Sequence, residues 1–258
     1  MNVQNNSIVM IHGMWCAGWC WENYVRHFEA RGYRCIAPTL RYHDADPGAV
    51  PHPLLGTTGL RDYVSDLETT ASGLGLRPII MGHSMGGLLA QLLASRIQAR
   101  ALVLLAPASP SGVLALAPSV IRAFLSLPAK GTFWKKPHKQ TFHEAAYSVF
   151  NLMPVREQRK LHAKYVYESG RAISEIGLWP LDRRKASSVD ASKITCPVLT
   201  VVGTHDRIIP PFSVRKVAAK YKATHKEFAD HAHWLLGEQG WQDIAAYVSD
   251  WLDHADSR

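Results

Sequence analysis

The sequence predicts an α/β protein: a mostly parallel sheet of about six strands flanked by helices, with a block of helices inserted in its second half. Three observations carry this reading. Short apolar runs bounded by glycine or proline alternate with segments whose apolar residues recur at helical spacing. One run, Arg77 to Met81, passes into Gly82-His83-Ser84-Met85-Gly86-Gly87 and then directly into a helical pattern. The alternation stops between about Ser109 and Ser192, where only helical patterns are found.

Taken in order, the first residues are expected to be disordered and Ser7 to Ile11 to form a buried strand ending at His12-Gly13. Trp21, Tyr24, Val25 and Phe28 give a helical face over Trp19 to Arg31, which Gly32 stops. Tyr33 to Ala37 is a strand closed by Pro38, residues 39–57 are a loop rich in proline and glycine, and Leu60 to Ser72 is a helix stopped by Gly73. Arg77–Met81 and Met85–Ile97 form the next strand and helix, and Ala101 to Leu105 the fourth strand. Helices are expected over Ser119–Leu127, His143–Asn151 and Arg156–Tyr167. After them come strands at Pro197–Gly203 and His225–Ala229, with helices near Pro211–Lys220 and Trp241–His254. The resulting division is a core from residues 1–108 and 193–258, with a helical cap from 109–192 between its two parts. No repeat or low-complexity tract interrupts it.

Composition narrows the class. Among 258 residues 47% are apolar and 19% charged, which fits a folded globular chain rather than a disordered one. No apolar run approaches the roughly 20 residues of a membrane-spanning helix, and the first ten residues lack the basic start and cleavage pattern of a signal peptide. A cytoplasmic protein, monomer or homodimer, without an integral membrane segment is the expectation. The net charge of +8 is concentrated partly in the stretch from Lys130 to Lys139 and in Arg183-Arg184-Lys185. Such a balance attracts anions, but no zinc-finger, RNA-binding or basic-helix pattern accompanies it. It is therefore read as a solvated face, with no nucleic-acid partner. Cys16, Cys20, Cys35 and Cys196 have neither metal-ligand spacing nor a disulfide pattern and are read as small apolar residues near the core. No metal and no organic cofactor is expected.

A strand, then Gly-x-Ser-x-Gly, then a helix has a mechanical meaning. The turn is tight enough to strain the serine backbone, and side chains at the flanking positions would collide. Gly82 and Gly86 remove those side chains, and Ser84 is pushed out at the carboxyl end of the sheet, above a helix N-terminus that favours developing negative charge. A serine hydroxyl needs a base to take its proton, and histidine is suited to that near neutral pH. Thirteen histidines compete for the role.

Ile11-His12-Gly13-Met14-Trp15, the Gly82–Gly87 elbow, Gly203-Thr204-His205-Asp206-Arg207-Ile208-Ile209-Pro210 and His231-Ala232-His233-Trp234 together resemble the α/β-hydrolase family, specifically its serine carboxylesterases and lipases with a helical cap. The similarity runs over nearly the whole chain apart from the cap. The family commonly has two further strands at its start; this sequence begins almost at the His-Gly strand, hence the expected six. The resemblance implies Ser84 as nucleophile, Asp206 as the orienting acid and His233 as the base, with His231 as its rival. It also implies the Met14 and Met85 N–H groups as the oxyanion donors. His12 and His83 are expected to support the motif loops, and His205, His225 and His254 to face solvent. Trp15, Trp134 and Trp179 are candidates for lining the pocket, whose apolar cap residues point to a small or medium hydrophobic ester. Ser84 argues against haloalkane dehalogenases and epoxide hydrolases, which carry aspartate at the elbow. The His-Gly-x-Trp start also resembles plant methylesterases and hydroxynitrile lyases, but Gly13 stands where the lyases have threonine. Thioesterase, lactonase, C–C hydrolase, haloperoxidase, acyltransferase and ligand-receptor readings stay open on these residues.

Overall fold

A computed structural model of the chain describes residues 6–74, 77–127 and 131–255. The expected disordered start lies largely outside those residues, as does Lys130 of the first basic stretch. Six strands form one sheet: β1 (Ser7–Ile11), β2 (Arg34–Ile36), β3 (Ile79–His83), β4 (Ala101–Leu105), β7 (Val198–Gly203) and β8 (Thr224–Phe228). Their order across the sheet is β2-β1-β3-β4-β7-β8, and every neighbouring pair is parallel. Helices α1 (Glu22–Glu29), α2 (Leu60–Ser72), α3 (Met85–Ala94), α8 (Pro211–Tyr221) and α9 (Trp241–Ala255) accompany it.

The order explains the sequence pattern. Every residue of β1, β3, β4 and β7 is buried, so these strands read as unbroken apolar runs rather than alternating ones. Burial of each large aliphatic side chain there is worth roughly 2 kcal/mol. The outer strands β2 and β8 carry Arg34, Lys226 and Glu227, as edges do. From β1 the chain first adds β2 on one side and then β3 on the other. A crevice therefore opens at the carboxyl ends of β1 and β3, the switch point where parallel sheets place ligands.

Residues 109–192 hold α4 (Pro118–Ala123), α5 (Phe142–Ser148), α6 (Val155–Ala163) and α7 (Gly170–Gly177). They are not wholly helical. β5 (Pro137–His138) pairs antiparallel with β6 (Glu168–Ser169), and two-residue strands are too short to leave an alternating pattern in sequence. The helix expected over Trp19–Arg31 begins as a separate 3-10 turn at Gly18–Trp21, and β3 runs two residues further than expected. Gly82 reads as a strand breaker, yet it pairs with Ile11 on one side and Leu104 on the other. His225, expected in solvent, is half-buried: its Nδ1 lies 2.8 Å from Thr200 Oγ1 and its Nε2 3.0 Å from Glu227 Oε1.

This segment is tied to the core by polar contacts. The buried carboxylate of Glu175 on α7 accepts the Leu60 N–H at the start of α2 (2.7 Å). The Trp15 carbonyl accepts the Val166 N–H at 2.9 Å. Glu168 on β6 accepts the Tyr63 hydroxyl at 2.7 Å and pairs with His43 at 3.0 Å, both of their side chains fully buried. Burial works against a charged His43, but Glu168 outweighs it and the His43 pKa is raised.

Close backbone approach is severest at α3. A Cβ on Gly86 would stand 2.1 Å from the Ile11 carbonyl oxygen and 2.5 Å from that of His12. Gly86→Ala should therefore not accumulate as folded protein, whereas Gly177→Ala, where a Cβ meets nothing within 4 Å, should keep or slightly raise the melting temperature. Thermal melts of both variants, followed by circular dichroism, check this; a cooperative, wild-type-like melt of Gly86→Ala would contradict the packing.

Candidate active site

The candidate residues sit on loops at the carboxyl ends of four strands of the parallel sheet. Met14 follows β1, Ser84 follows β3, Asp206 follows β7 and His233 follows β8. Ser84 has φ 55° and ψ −122°, a conformation costing a non-glycine residue on the order of 1–3 kcal/mol. Three backbone bonds hold it there. Its N–H donates to the Leu105 carbonyl (3.1 Å), and its own carbonyl accepts from Gly87 (2.9 Å) and Ala108 (2.8 Å). Gly13 packs against it, since a Cβ at residue 13 would lie 2.9 Å from Ser84 Cβ. A threonine there would need the elbow to shift.

Asp206 and His233 are joined. Asp206 Oδ2 lies 2.7 Å from His233 Nδ1, and Oδ1 accepts the N–H groups of Ile208 (2.9 Å) and Ile209 (2.8 Å). Both carboxylate oxygens are thus occupied, and both side chains are almost wholly removed from solvent. An imidazole whose Nδ1–H is given to a carboxylate keeps Nε2 as a proton acceptor. Asp182 and Asp190, the other carboxylates near the end of the inserted segment, are used locally: they accept backbone N–H groups of Arg184, Ala186 and Ser192.

His231 has a different partner. Its Nδ1 lies 2.9 Å from Glu238 Oε1, and Glu238 also accepts the Ala232 N–H at 3.0 Å. Burial raises the Glu238 pKa against the opposing pull of His231. Glu238 thus staples the loop that carries His233, and nothing in the local sequence announces it. The Ser84 and His233 ends are bridged by His83, whose Nε2–H donates to the His233 carbonyl at 2.8 Å. Among the described residues Ser84 Oγ makes no hydrogen bond, so the serine–histidine link itself is not formed here.

Ser84, Met14 and Met85 line a cavity of about 400 Å³. Among the described residues no turn or loop bond takes up the Met14 and Met85 N–H groups, and the latter is an orphan donor at the first turn of α3. Phe124, Phe133, Ile173 and Trp179 complete an apolar wall, and among the described residues no charged side chain lines it. Of the candidate tryptophans only Trp179 lines the cavity. Trp15 is buried one layer behind, stacked 6.2 Å from Tyr165 and 6.1 Å from the wall residue Phe124. Trp134 points into a separate cleft, and its neighbour Phe133 takes the wall position instead. Among the described residues no three His, Cys, Asp or Glu side chains gather as a metal ion would need, and the four cysteines are free thiols.

The fold belongs to a known class. The chain is a member of the alpha/beta hydrolase family, whose model matches residues 8–247. A pyrethroid hydrolase of Sphingobium wenxiniae is 39% identical over 83 residues, 31% of this chain and 27% of that protein. The esterase PIR7B of Oryza sativa subsp. japonica is 31% identical over 107 residues, 40% of this chain and 38% of that protein. The chain thus spans well under half the length of these curated relatives. A methylesterase from Arabidopsis superposes with a TM-score of 0.69 over 96% of this chain and 98% of that one, at 14% identity, a likeness of fold. No helix among the described residues is long and apolar enough to cross a membrane.

Two buried histidines frame the crevice. Leu40 N–H donates to His12 Nε2 at 3.0 Å, so His12 carries its proton on Nδ1 and gives it to the Gly13 carbonyl (2.8 Å). Desolvation, then the neighbouring His43, lowers the His12 pKa to about 3. Desolvation and then His233 lower that of His83 from 6.5 to about 3. Because the folded pKa lies below the unfolded one, each stabilising contribution is complete above pH 6.5 and is lost as pH falls toward 3. The imidazole NMR signals of His12 and His83 should therefore stay those of neutral rings down to about pH 4.5. Titration of His12 and His83 in the ordinary range would contradict their placement.

Proposed function

We propose that the protein is a serine hydrolase that cleaves small to medium hydrophobic carboxylic esters through an acyl-enzyme. The observation that carries the reading is the Asp206–His233 pair, 2.7 Å apart, on loops at the same end of the sheet as a strained, cavity-lining Ser84. In this mechanism His233 Nε2 takes the Ser84 hydroxyl proton as Oγ attacks the ester carbonyl. The Met14 and Met85 N–H groups receive the developing oxyanion. Collapse expels the alcohol, which leaves with the proton held by His233. A water molecule, deprotonated by the same imidazole, then releases the acid and restores Ser84. Asp206 stays ionised throughout; it fixes the tautomer and balances the imidazolium charge. No cofactor enters the scheme.

Residues 109–192 act in this reading as a cap. They supply most of the apolar wall, so chemistry belongs to the sheet and selectivity to the insertion. The names of the relatives agree with an ester substrate, and the absence of charge from the cavity wall among the described residues disfavours polar substrates. Contact between Gly13 and Ser84 leaves no room for the threonine of the lyases.

Hydrolysis of chromogenic esters of increasing chain length tests the reading. Ser84→Ala should abolish turnover. Asp206→Asn should remain folded and lose about 10³–10⁴ in kcat, because the amide favours the wrong histidine tautomer. A loss within about tenfold would show that another group orients His233.

The cap makes a separate prediction. Trp179→Ala, which enlarges the cavity, should shift the preferred acyl length while altering acetate hydrolysis little, a pocket methylene being worth about 1–3 kcal/mol. Trp134→Ala should leave the chain-length profile unchanged. The reverse pattern would place the pocket elsewhere.

A further inference from the structure

The two basic stretches noted in the sequence meet in the folded chain. Lys135 from one and Arg183 and Arg184 from the other line an open cleft of about 600 Å³, together with Arg171, Trp134 and Leu181. Ser174 and Leu178 of the α7 region line both this cleft and the Ser84 cavity, so the two share a wall.

The cleft's charges are unequally spent. Its two carboxylates are committed. Glu175 accepts Arg171 Nε at 2.9 Å and the Leu60 N–H at 2.7 Å, while Asp182 accepts the N–H groups of Arg184 (2.9 Å) and Ala186 (2.7 Å). Arg171 is further fixed by donating Nη1–H to the Thr57 carbonyl at 3.1 Å. Among the described residues, no carboxylate lies within ion-pair distance of Lys135, Arg183 or Arg184, and all three are exposed. Beside these cations stand uncovered apolar side chains: Trp134 is 46% exposed, Leu178 43% and Leu181 77%. Unpaired guanidinium groups next to an exposed indole and two leucines are complementary to one kind of small molecule. It has a carboxylate for the arginines and an apolar body for the wall.

We propose that this cleft is a second, non-catalytic binding site, for an organic carboxylate with an apolar body. The proposal stands apart from the Ser84 chemistry, since neither Arg183 nor Arg184 lines the Ser84 cavity and its failure would leave the ester-hydrolase reading intact.

Isothermal titration calorimetry of the intact protein tests it, with 2-naphthoate as probe and 2-naphthamide and sodium sulfate as comparisons. Naphthoate should bind saturably, more weakly as salt is raised. Naphthamide, which lacks the charge, and sulfate, which lacks the body, should each bind at least about tenfold more weakly. Arg183→Glu with Arg184→Glu should weaken naphthoate by at least about tenfold and leave hydrolysis of a small acetate ester unchanged. The milder Arg183→Gln with Arg184→Gln should shift affinity in the same direction. No naphthoate binding, equal binding of naphthoate and naphthamide, or undiminished binding by both double variants would overturn the proposal.

Discussion

Everything at the crevice depends on how closely the first turn of α3 can approach β1. With Gly86 stacked on the Ile11 and His12 carbonyls, the helix enters the sheet without a side chain between them. Gly82 allows the matching approach from the strand side, where a Cβ would fall 2.2 Å from the Gly86 carbonyl oxygen. That geometry forces the intervening residue into a left-handed conformation and lifts Ser84 clear of the sheet. It also brings the orphan N–H of Met85 beside the loop that carries Met14. Strain at one residue is sustained because four burying strands and three backbone bonds over-determine it.

The sheet order then gathers the remaining parts. A parallel sheet with its switch point between β1 and β3 sends every following loop to the same end, so the loops carrying residues 14, 84, 206 and 233 share the carboxyl end of the sheet although the chain separates them widely. Buried histidines finish the frame. His83 donates from the elbow to the His233 loop, and His12 accepts from Leu40 and donates to the Gly13 carbonyl, each as a neutral ring that brings no charge into the low-dielectric interior. Polar contacts from Glu175, Glu168 and Val166 bind the inserted segment to the same frame.

The fold was legible because its strongest signals are local. An apolar run ending in Gly-His-Ser-Met-Gly-Gly announces strand, elbow and helix within a dozen residues. The pairing of Asp206 with His233 was expected only through resemblance to known hydrolases, since nothing in their own neighbourhoods distinguishes them from a turn aspartate and a loop histidine. What escaped depends on long-range side-chain pairing. Glu238 bonding His231, Glu168 bonding His43 and Glu175 capping α2 leave no periodic trace. The tryptophans mislead for a related reason. Trp134 and Phe133 are adjacent, and only the three-dimensional path of a short 3-10 turn decides which of them faces the cavity. Likewise the basic residues read as a solvated face until the fold brings Lys135 and Arg183 to one cleft.

The central claim is that one serine, and only that serine, is activated by this frame. Incubation with a fluorophosphonate, followed by intact-mass and peptide mass spectrometry, measures it directly. One phosphonyl group per chain should be added, on Ser84, with labelling greatly slowed in His233→Ala and unaffected in rate by His231→Ala. Modification at another residue, or labelling of Ser84 that proceeds equally fast without His233, would contradict it.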